Sequence, residues 1–270
     1  MAKGLLLVGC GKMGGAMLSG WLDQGTDPGT VFVIEPTEAL RTPLRDRGVN
    51  AVAAAADLPD GFWPSCVILA VKPQQMANVM GDFVRYVGPE TQFLSIAAGT
   101  TISFFESVLG PEAAIVRTMP NTPAAVGKGM MVACPNGHVT AAMRQQADDL
   151  LAAVGAVAWI EDESLMDAVT AVSGSGPAYV FHMIECLAAA GVDAGLPADL
   201  AAQLASQTVY GAGALAFEAA EDPATLRRNV TSPGGTTQAA LEVLMADDGL
   251  APLMRRAVEA AAKRSRELGG

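Results

Sequence analysis

Residues 5–14 read Leu5-Leu-Leu-Val-Gly-Cys-Gly-Lys-Met-Gly14 and join a short apolar run to a G-x-G-x-x-G pattern. The run is typical of a strand buried on both faces, and the residues after it favour a helix. Gly9 permits a tight turn, Gly11 lets backbone amides approach a pyrophosphate, and Gly14 lets the helix pack closely on the sheet. The stretch therefore predicts a dinucleotide-binding turn, with a ligand-free strand-to-helix turn as the alternative.

An acidic residue follows the next predicted strand. Val31–Ile34 is followed by Glu35, 21 positions after the last glycine of the pattern and near the offset at which an acid accepts the adenosine ribose hydroxyls. Arg41 or Arg45 would alternatively meet a 2′-phosphate, so these residues leave NADH and NADPH open. The turn is not a magnesium-binding P-loop, because Met13 stands where that motif needs Ser or Thr.

Short apolar runs alternate with helix-like segments up to about residue 160. Five runs lack the alternation of half-exposed strands, namely 5–9, 31–34, 66–71, 91–97 and 114–118. Helical segments such as 13–23 and 38–47 lie between them, and this order is typical of a doubly wound parallel sheet in an α/β fold. Two further strand candidates, 129–134 and 156–160, would extend or edge the sheet. Residues 1–162 are predicted to form the dinucleotide-binding domain.

The strand signals vanish after residue 160, where Ala, Leu, Glu and Gln dominate. Residues 163–270 are predicted to form an all-helical domain, with helix caps at Asp193, Asp199 and Asp222. The apolar faces of residues 200–220 exceed what a thin helical domain needs for its own core, which predicts a homodimer. The Ala-rich residues 51–56 are also interpreted as helix.

The composition argues against several classes of partner and site. The 270 residues carry 17 Lys and Arg against 28 Asp and Glu, and the net charge of −11 would repel a nucleic acid backbone. No apolar run approaches the roughly 18 residues that span a bilayer, so no membrane partner is expected. Four cysteines at least 52 residues apart and two histidines predict neither a metal site nor a disulfide framework. The first apolar run is too short for a secretory signal, which predicts a cytoplasmic location.

Three more segments follow predicted strands at the edge of the sheet where ligands bind in such folds. They are Ala70-Val-Lys-Pro-Gln74, Ile96-Ala-Ala-Gly99 and Met119-Pro-Asn-Thr-Pro123. Their small residues, with Pro and Gly, would let a flat nicotinamide and its ribose lie against the backbone. Lys72 would alternatively be a solvated lysine, and Asn121 a turn residue that bonds its own backbone.

Two glycine-rich segments interrupt the helical half and predict helix junctions. They are Ser173-Gly-Ser-Gly-Pro177 and Thr231-Ser-Pro-Gly-Gly-Thr-Thr237. The second precedes a helical run from Gln238, so the amides of residues 235–237 would form a carboxylate receptor that needs no side-chain cation. Helix capping by Thr236 or Ser232 is the alternative.

These motifs together resemble the pyrroline-5-carboxylate reductase family, and the resemblance covers nearly the whole chain. It is carried by the glycine-rich turn, by the segments around Lys72, Asn121 and Ser173, and above all by Asn229-Val-Thr-Ser-Pro-Gly-Gly-Thr-Thr237. It implies a Rossmann domain, a helical domain that interlocks with a partner to form a dimer, and assembly of dimers into a decamer. It also implies reduction of pyrroline-5-carboxylate to proline with NADPH or NADH.

The resemblance also implies roles for particular residues. In the family NADPH is usual and its 2′-phosphate meets Ser, Thr, Asn or Arg after the second strand. Here Glu35-Pro36-Thr37 departs from that pattern, and only Thr37 would contact the phosphate. The Thr237 hydroxyl would contact the ring nitrogen of the substrate, and Ser173 and Ser175 would border the nicotinamide. The expected substrate-facing set is Glu163, Asn229, Ser232, Gly235, Thr236 and Thr237. The cofactor-lining set that follows from the motifs and the resemblance is Val8, Gly9, Cys10, Gly11, Lys12, Met13, Gly14, Glu35, Thr37, Ala70, Val71, Lys72, Pro73, Ile96, Ala97, Ala98 and Asn121.

Two other classes of protein share parts of this pattern. A β-hydroxyacid dehydrogenase also begins with a G-x-G-x-M-G turn, but it carries a catalytic lysine in the helix after a second glycine motif, and residues 173–187 contain no lysine. A nucleotide-sensing module without catalysis would bind the cofactor alone, whereas the glycine-rich segment at 231–237 offers a second anion site.

Overall fold

The computed structural model describes residues 3–269, apart from the side chain of Lys3, and its central feature is an eight-stranded sheet. The strands are β1 (Lys3–Val8), β2 (Val31–Ile34), β3 (Asn50–Val52), β4 (Trp63–Leu69), β5 (Gln92–Ser95), β6 (Ala114–Met119), β7 (Gly129–Pro135) and β8 (Gly155–Trp159). Their order across the sheet is β3-β2-β1-β4-β5-β6-β7-β8. All neighbours are parallel except β6 and β7, which are antiparallel.

Helices follow most of the strands. In this part of the chain they are α1 (Lys12–Asp23), α2 (Glu38–Asp46), α3 (Pro73–Val79), α4 (Ile102–Leu109), α5 (Ala141–Ala152) and the short α6 (Met166–Val169). The predicted doubly wound sheet is confirmed, and the two candidate strands at 129–134 and 156–160 do extend it. Both run antiparallel to the first six strands, so the sheet is mostly rather than wholly parallel.

The apolar runs lack alternation because both faces of the sheet are covered. Leu7 packs in one core cluster with Met17 and Trp21 of α1, and its neighbour Leu6 packs on the opposite face with Phe105 of α4. Leu6 and Leu7 are both fully buried. A strand with two buried faces needs apolar residues at every position.

The interpretation of residues 51–56 as helix is wrong. Ala51 and Val52 belong to β3, which pairs with β2 through Val33 and Ile34, and a turn of 3₁₀ helix follows at Ala55–Asp57. Four alanines in a row favour helix by propensity, but pairing with an existing sheet edge decides the outcome here.

The rest of the chain is helical, as predicted: α7 (Gly176–Asp193), α8 (Ala198–Glu218), α9 (Pro223–Asn229), α10 (Thr236–Leu244) and α11 (Leu250–Gly269). Residues 3–174 and 262–269 form one compact unit, and Ser175–Ala261 form a second. Asp222 caps α9 by accepting from the Thr225 amide at 3.0 Å, as predicted. Asp193 instead ends α7 and Asp199 lies in the first turn of α8, so the predicted caps there are wrong.

The second unit exposes many large apolar side chains. Phe181 of α7 and Tyr210, Leu215 and Phe217 of α8 are examples. Large exposed apolar surfaces on a folded unit mark interaction sites. Across residues 3–269, none of the helices is long and apolar enough to cross a membrane.

Candidate functional site

The glycine-rich turn joins β1 to α1, and two of its glycines are required by its geometry. Gly9 has a φ of +87° and donates to the Ile34 carbonyl at 2.8 Å. A Cβ on Gly14 would lie 2.6 Å from the Gly9 carbonyl oxygen and 3.2 Å from the Ala70 side chain. The predicted roles of these glycines in the tight turn and the close helix contact are therefore confirmed.

The N-terminus of α1 is open to an anion. Gly11 is the N-cap and offers no side-chain capping bond, and a Cβ placed on it would meet no atom within 4 Å. The first helical hydrogen bond runs from Gly15 to the Gly11 carbonyl at 2.8 Å, so the amides of Lys12 and Met13 precede it. The first turn contains no acidic residue. These features fit the pyrophosphate of a dinucleotide.

Glu35 is buried at the end of β2 and is held against the turn. Its carboxylate accepts hydrogen bonds from the Cys10 amide at 3.0 Å and from the Thr37 amide at 2.9 Å. Burial acts to raise the pKa of Glu35, but hydrogen bonds from Thr37 and Cys10 and the charge of Arg41 outweigh it and bring this pKa below its usual value. Burial, with the nearby Glu35 charge, raises the pKa of the Cys10 thiol to about 11.

Both arginines of α2, the alternative predicted for a 2′-phosphate, make contacts within the protein. Arg41 is buried, donates to the carbonyls of Glu35 and Pro36 at 2.6 Å each, and pairs with the Glu38 carboxylate. Arg45 donates to the same carboxylate at 2.7 Å and to the Ala51 carbonyl at 3.0 Å. Arg41 is enclosed by these contacts, whereas the Arg45 side chain is 47% exposed, and contact of either arginine with a 2′-phosphate stays a prediction.

The structure brings the other predicted cofactor segments to the same sheet edge. Ala70 follows β4 and donates to the Val8 carbonyl at 2.8 Å, and Ile96 follows β5 and donates to the Leu69 carbonyl at 3.1 Å. Lys72 is the exposed N-cap of α3. The remaining members of the set there are Val71, which contacts Gly9, Pro73, which begins α3, the buried Ala97 and the exposed Ala98.

Asn121 links the end of β6 to the glycine-rich segment at 173. Its side-chain oxygen accepts from the Met130 amide at 2.8 Å, and its nitrogen donates to the carbonyl and the hydroxyl of Ser173 at 3.3 Å each. Ser173 lies in a π-helical turn, Thr170–Gly174. Asn121 is thus not a turn residue that bonds its own backbone. Its role toward a cofactor stays a prediction.

Glu163 is engaged within the first unit. Its carboxylate accepts from Arg117 at 2.6 Å and from the Ile102 amide at 2.8 Å. Arg117 is 8% exposed and Glu163 29%. The contact joins β6, the start of α4 and the segment before α6, and the expected role of Glu163 toward substrate stays a prediction.

In the second unit, the segment at 231–237 ends at the N-terminus of α10. Gly235 is the N-cap without a side-chain capping bond, so capping by Thr236 or Ser232 is wrong. The Gly235 amide itself donates to the Ser232 carbonyl at 3.0 Å, which leaves the amides of Thr236 and Thr237 ahead of the first helical bond from Ala239. Of the three amides expected to be free, at residues 235–237, two remain free, those of Thr236 and Thr237.

The other predicted residues of the second unit lie at helix ends. Ser175 is the N-cap of α7, and Asn229 is the exposed last residue of α9. An open groove of about 450 Å³ is lined by Arg227 and Arg228 of α9 and by residues of α10 that include Gln238 and Leu241. These arginines already donate to the Met245 sulfur and the Thr225 hydroxyl.

Sequence reasoning missed Arg117 as a functional neighbour of Glu163. A charged residue inside a strand buried on both faces needs a partner, and that rule could have found it. The links from Glu35 to Cys10 and from Asn121 to Ser173 depend on packing that no local pattern specifies.

Each half of the chain matches the model of a known protein family. Residues 163–268 match a family model described as pyrroline-5-carboxylate reductase dimerisation, and residues 4–99 match one described as NADP oxidoreductase, coenzyme F420-dependent. The pyrroline-5-carboxylate reductase of Pseudomonas aeruginosa is 38% identical over 98% of this chain and 96% of its own length, and that of Synechocystis is 41% identical over 100% and 99%.

Solved structures agree along the full length. A pyrroline-5-carboxylate reductase from Coxiella burnetii has a TM-score of 0.93 at 32% identity and covers 100% of both chains. A pyrroline carboxylate reductase from Plasmodium falciparum, with NADP bound, has a TM-score of 0.84 at 30% identity and covers 99% of this chain and 98% of its own.

Proposed function

Because the chain belongs to the pyrroline-5-carboxylate reductase family, we propose that it reduces the C=N bond of 1-pyrroline-5-carboxylate to give proline, the last step of proline biosynthesis. The cofactor, NADPH or NADH, supplies a hydride to the imine carbon, and the ring nitrogen ends as a protonated amine. The observation that carries the proposal is the similarity to pyrroline-5-carboxylate reductases along the whole chain. The similar region includes the carboxyl edge of the sheet and the segment before α10.

The cofactor is assigned to the carboxyl edge of the sheet in the first unit. The open N-terminus of α1 supports binding of the pyrophosphate by the amides of Gly11, Lys12 and Met13. The segments that follow β4 and β5 supply small residues at the same edge, where Ala70 and Ala97 would let a flat ring approach the backbone.

The substrate carboxylate is assigned to the N-terminus of α10. The amides of Thr236 and Thr237 precede the first helical bond, and a helix N-terminus favours an anion even in a chain of net charge −11. The Thr237 hydroxyl would then contact the ring nitrogen, and Glu163, Asn229 and Ser232 would face the substrate. A protonated imine accepts hydride readily, so these residues orient the ring and need not supply a strong acid.

Ser173 and Ser175 are assigned to the nicotinamide side of the site. Asn121 fixes Ser173 through its backbone and its hydroxyl, which supports a defined position for this segment. The domain division after residue 162 also belongs to this proposal, with residues 163–270 as the dimerisation and substrate domain.

The test follows oxidation of NADH and of NADPH with 1-pyrroline-5-carboxylate as acceptor, and measures the proline formed. We expect proline in equal amount to the cofactor oxidised, and a fall in kcat/KM of roughly 100-fold in Thr237→Ala, because orientation of the ring is lost. Ser107→Ala, at an exposed position in α4, also removes one hydroxyl and is the control that should retain the activity. Tight cofactor binding without any reduction of this imine would overturn the assignment.

The assembly is proposed to be a dimer that builds a decamer in the cytoplasm. The exposed apolar side chains of α7 and α8, such as Phe181 and Phe217, support mutual burial between copies. Four free thiols, three of them buried, support a reducing compartment. Sedimentation equilibrium should give five dimers per particle, and a stable dimer at all concentrations would contradict the decamer.

A further inference from the structure

Glu35 offers unused acceptor capacity where the adenosine ribose of a dinucleotide lies in this kind of fold. Each of its oxygens accepts one amide hydrogen, from Cys10 and from Thr37. The Thr37 hydroxyl donates a third hydrogen bond, and since a carboxylate can accept about four, one acceptor direction remains. A ribose hydroxyl is a donor that can fill this remaining direction.

The same carboxylate is a fixed negative charge. Its position cannot relax far, because the two amides that hold it belong to the glycine-rich turn and to the start of α2. A 2′-phosphate adds roughly −1.5 to −2 charges at neutral pH, and like charges at short range cost binding energy.

The nearest cations, both on α2, are already bound by protein groups, although the charge of Arg41 stabilises the ionised Glu35 carboxylate. Arg41 donates to two backbone carbonyls and pairs with Glu38, and Arg45 pairs with the same Glu38 carboxylate. Glu38 in turn adds a second carboxylate in the first turn of α2. The N-terminus of α2 therefore presents an acid where a phosphate would otherwise be favoured.

We propose that Glu35 makes this chain select NADH over NADPH, by accepting an adenosine ribose hydroxyl and by repelling a 2′-phosphate. The proposal rests on the function proposed above, since it assigns the specificity of that cofactor site. Thr37, whose amide is bound to Glu35, then belongs to the ribose end of the site and does not recruit a phosphate.

Direct binding tests the proposal without catalysis. Dissociation constants of the 270-residue chain are measured by calorimetry for NADH and NADPH, and for 5′-AMP and adenosine 2′,5′-bisphosphate as fragments. We expect NADH to bind at least about tenfold more tightly than NADPH, and the fragments to show the same order. The preference should shrink as the salt concentration rises, because salt screens the repulsion.

The variant Glu35→Gln removes the charge and keeps the size of the side chain. Its preference for NADH should fall by roughly tenfold. The exposed Asp60→Asn is the control for loss of one negative charge and should leave the ratio unchanged. The wild-type comparison needs no variant, so it stands if Glu35→Gln fails to fold.

Several outcomes would overturn the proposal. They are equal or tighter binding of NADPH by the wild type, binding of neither cofactor, and a folded Glu35→Gln that keeps the full preference for NADH. Strong NADH binding without reduction of 1-pyrroline-5-carboxylate would instead overturn the proposed reaction and leave the cofactor preference intact.

Discussion

The carboxylate of Glu35 and the amide of Cys10 form a 3.0 Å hydrogen bond that ties the end of β2 to the glycine-rich turn. This contact predicts a stability effect in addition to its effect on cofactor choice. In Glu35→Gln an NH₂ group replaces one acceptor, so the Cys10 or the Thr37 amide loses its partner. At neutral pH the free energy of unfolding should fall by about 1–3 kcal/mol.

The loss should depend on pH. The pKa of Glu35 is lowered in the folded protein, so its contribution is fully present above the pKa of the unfolded chain and is lost as the pH falls through the folded-state pKa. Urea unfolding of wild type and Glu35→Gln, at one protein concentration, should therefore give stabilities that converge below about pH 4. A constant difference at every pH would contradict the ionised carboxylate as its source.

Two neighbouring glycines of α1 give a matched pair of variants. Gly14→Ala places a Cβ 2.6 Å from the Gly9 carbonyl oxygen, and backbone cannot move away cheaply. We expect a loss of roughly 1–3 kcal/mol in the free energy of unfolding and weaker binding of NADH. Gly15→Ala places its Cβ 3.9 Å from the nearest atoms, so it should be neutral or should stabilise by up to about 1 kcal/mol. Similar losses in both variants would contradict the packing argument.

The glycine-rich turn and most of the sheet were predictable from the sequence, because the hydrophobic pattern and the steric demand for glycine both favour the same local structure there. Leu6 and Leu7 sit in an unbroken apolar run, and Gly9 and Gly14 meet steric demands that only glycine satisfies. The three-residue strand β3 was not predictable, because its alanine-rich stretch becomes a strand only by pairing with β2.

The site was predictable as a set of segments but not as a set of contacts. Asn121 and Ser173 lie 52 positions apart, and the amide-to-serine bonds that join them depend on how β6 and the π-helical turn pack. The same holds for the arginines of α2, since spacing alone did not show that Glu38 and backbone carbonyls occupy Arg41.

The ion pair between Glu163 and Arg117 should contribute more to the free energy of unfolding than a surface ion pair of similar geometry. Glu163→Ala leaves the nearly buried guanidinium of Arg117 and the Ile102 amide without their acceptor. We expect a loss of about 1–3 kcal/mol in the free energy of unfolding, below the full cost of a buried unpaired charge because Glu163 is partly exposed.

The control for this pair is Glu161→Ala. Glu161 and Arg144 form a 2.8 Å pair that is 72% and 40% exposed, so its loss should cost less than about 1 kcal/mol. Urea unfolding without substrate measures both variants and keeps any role of Glu163 toward substrate out of the comparison. Equal costs for the two variants would contradict a buried anchoring role.

Asn121 acts as a positioning residue for Ser173, and two substitutions separate its contacts. Asn121→Asp keeps an acceptor for the Met130 amide but cannot donate to the Ser173 carbonyl, whereas Asn121→Ala loses both links. Ser173, which borders the nicotinamide in the proposed site, then loses contacts that fix its position. We expect Asn121→Asp to lower kcat roughly tenfold while the dissociation constant of NADH changes by less than about twofold, because the glycine-rich turn proposed to bind the pyrophosphate is untouched.

Ser173→Ala completes the comparison, since it removes the hydroxyl but keeps the carbonyl that accepts from Asn121. Stopped-flow measurement of the hydride step, with NADH binding measured separately, distinguishes positioning from direct binding. If Asn121→Asp weakened NADH binding as much as it slowed turnover, Asn121 would contact the cofactor itself. If neither quantity changed, the bonds between Asn121 and Ser173 would only tie β6 to the π-helical turn.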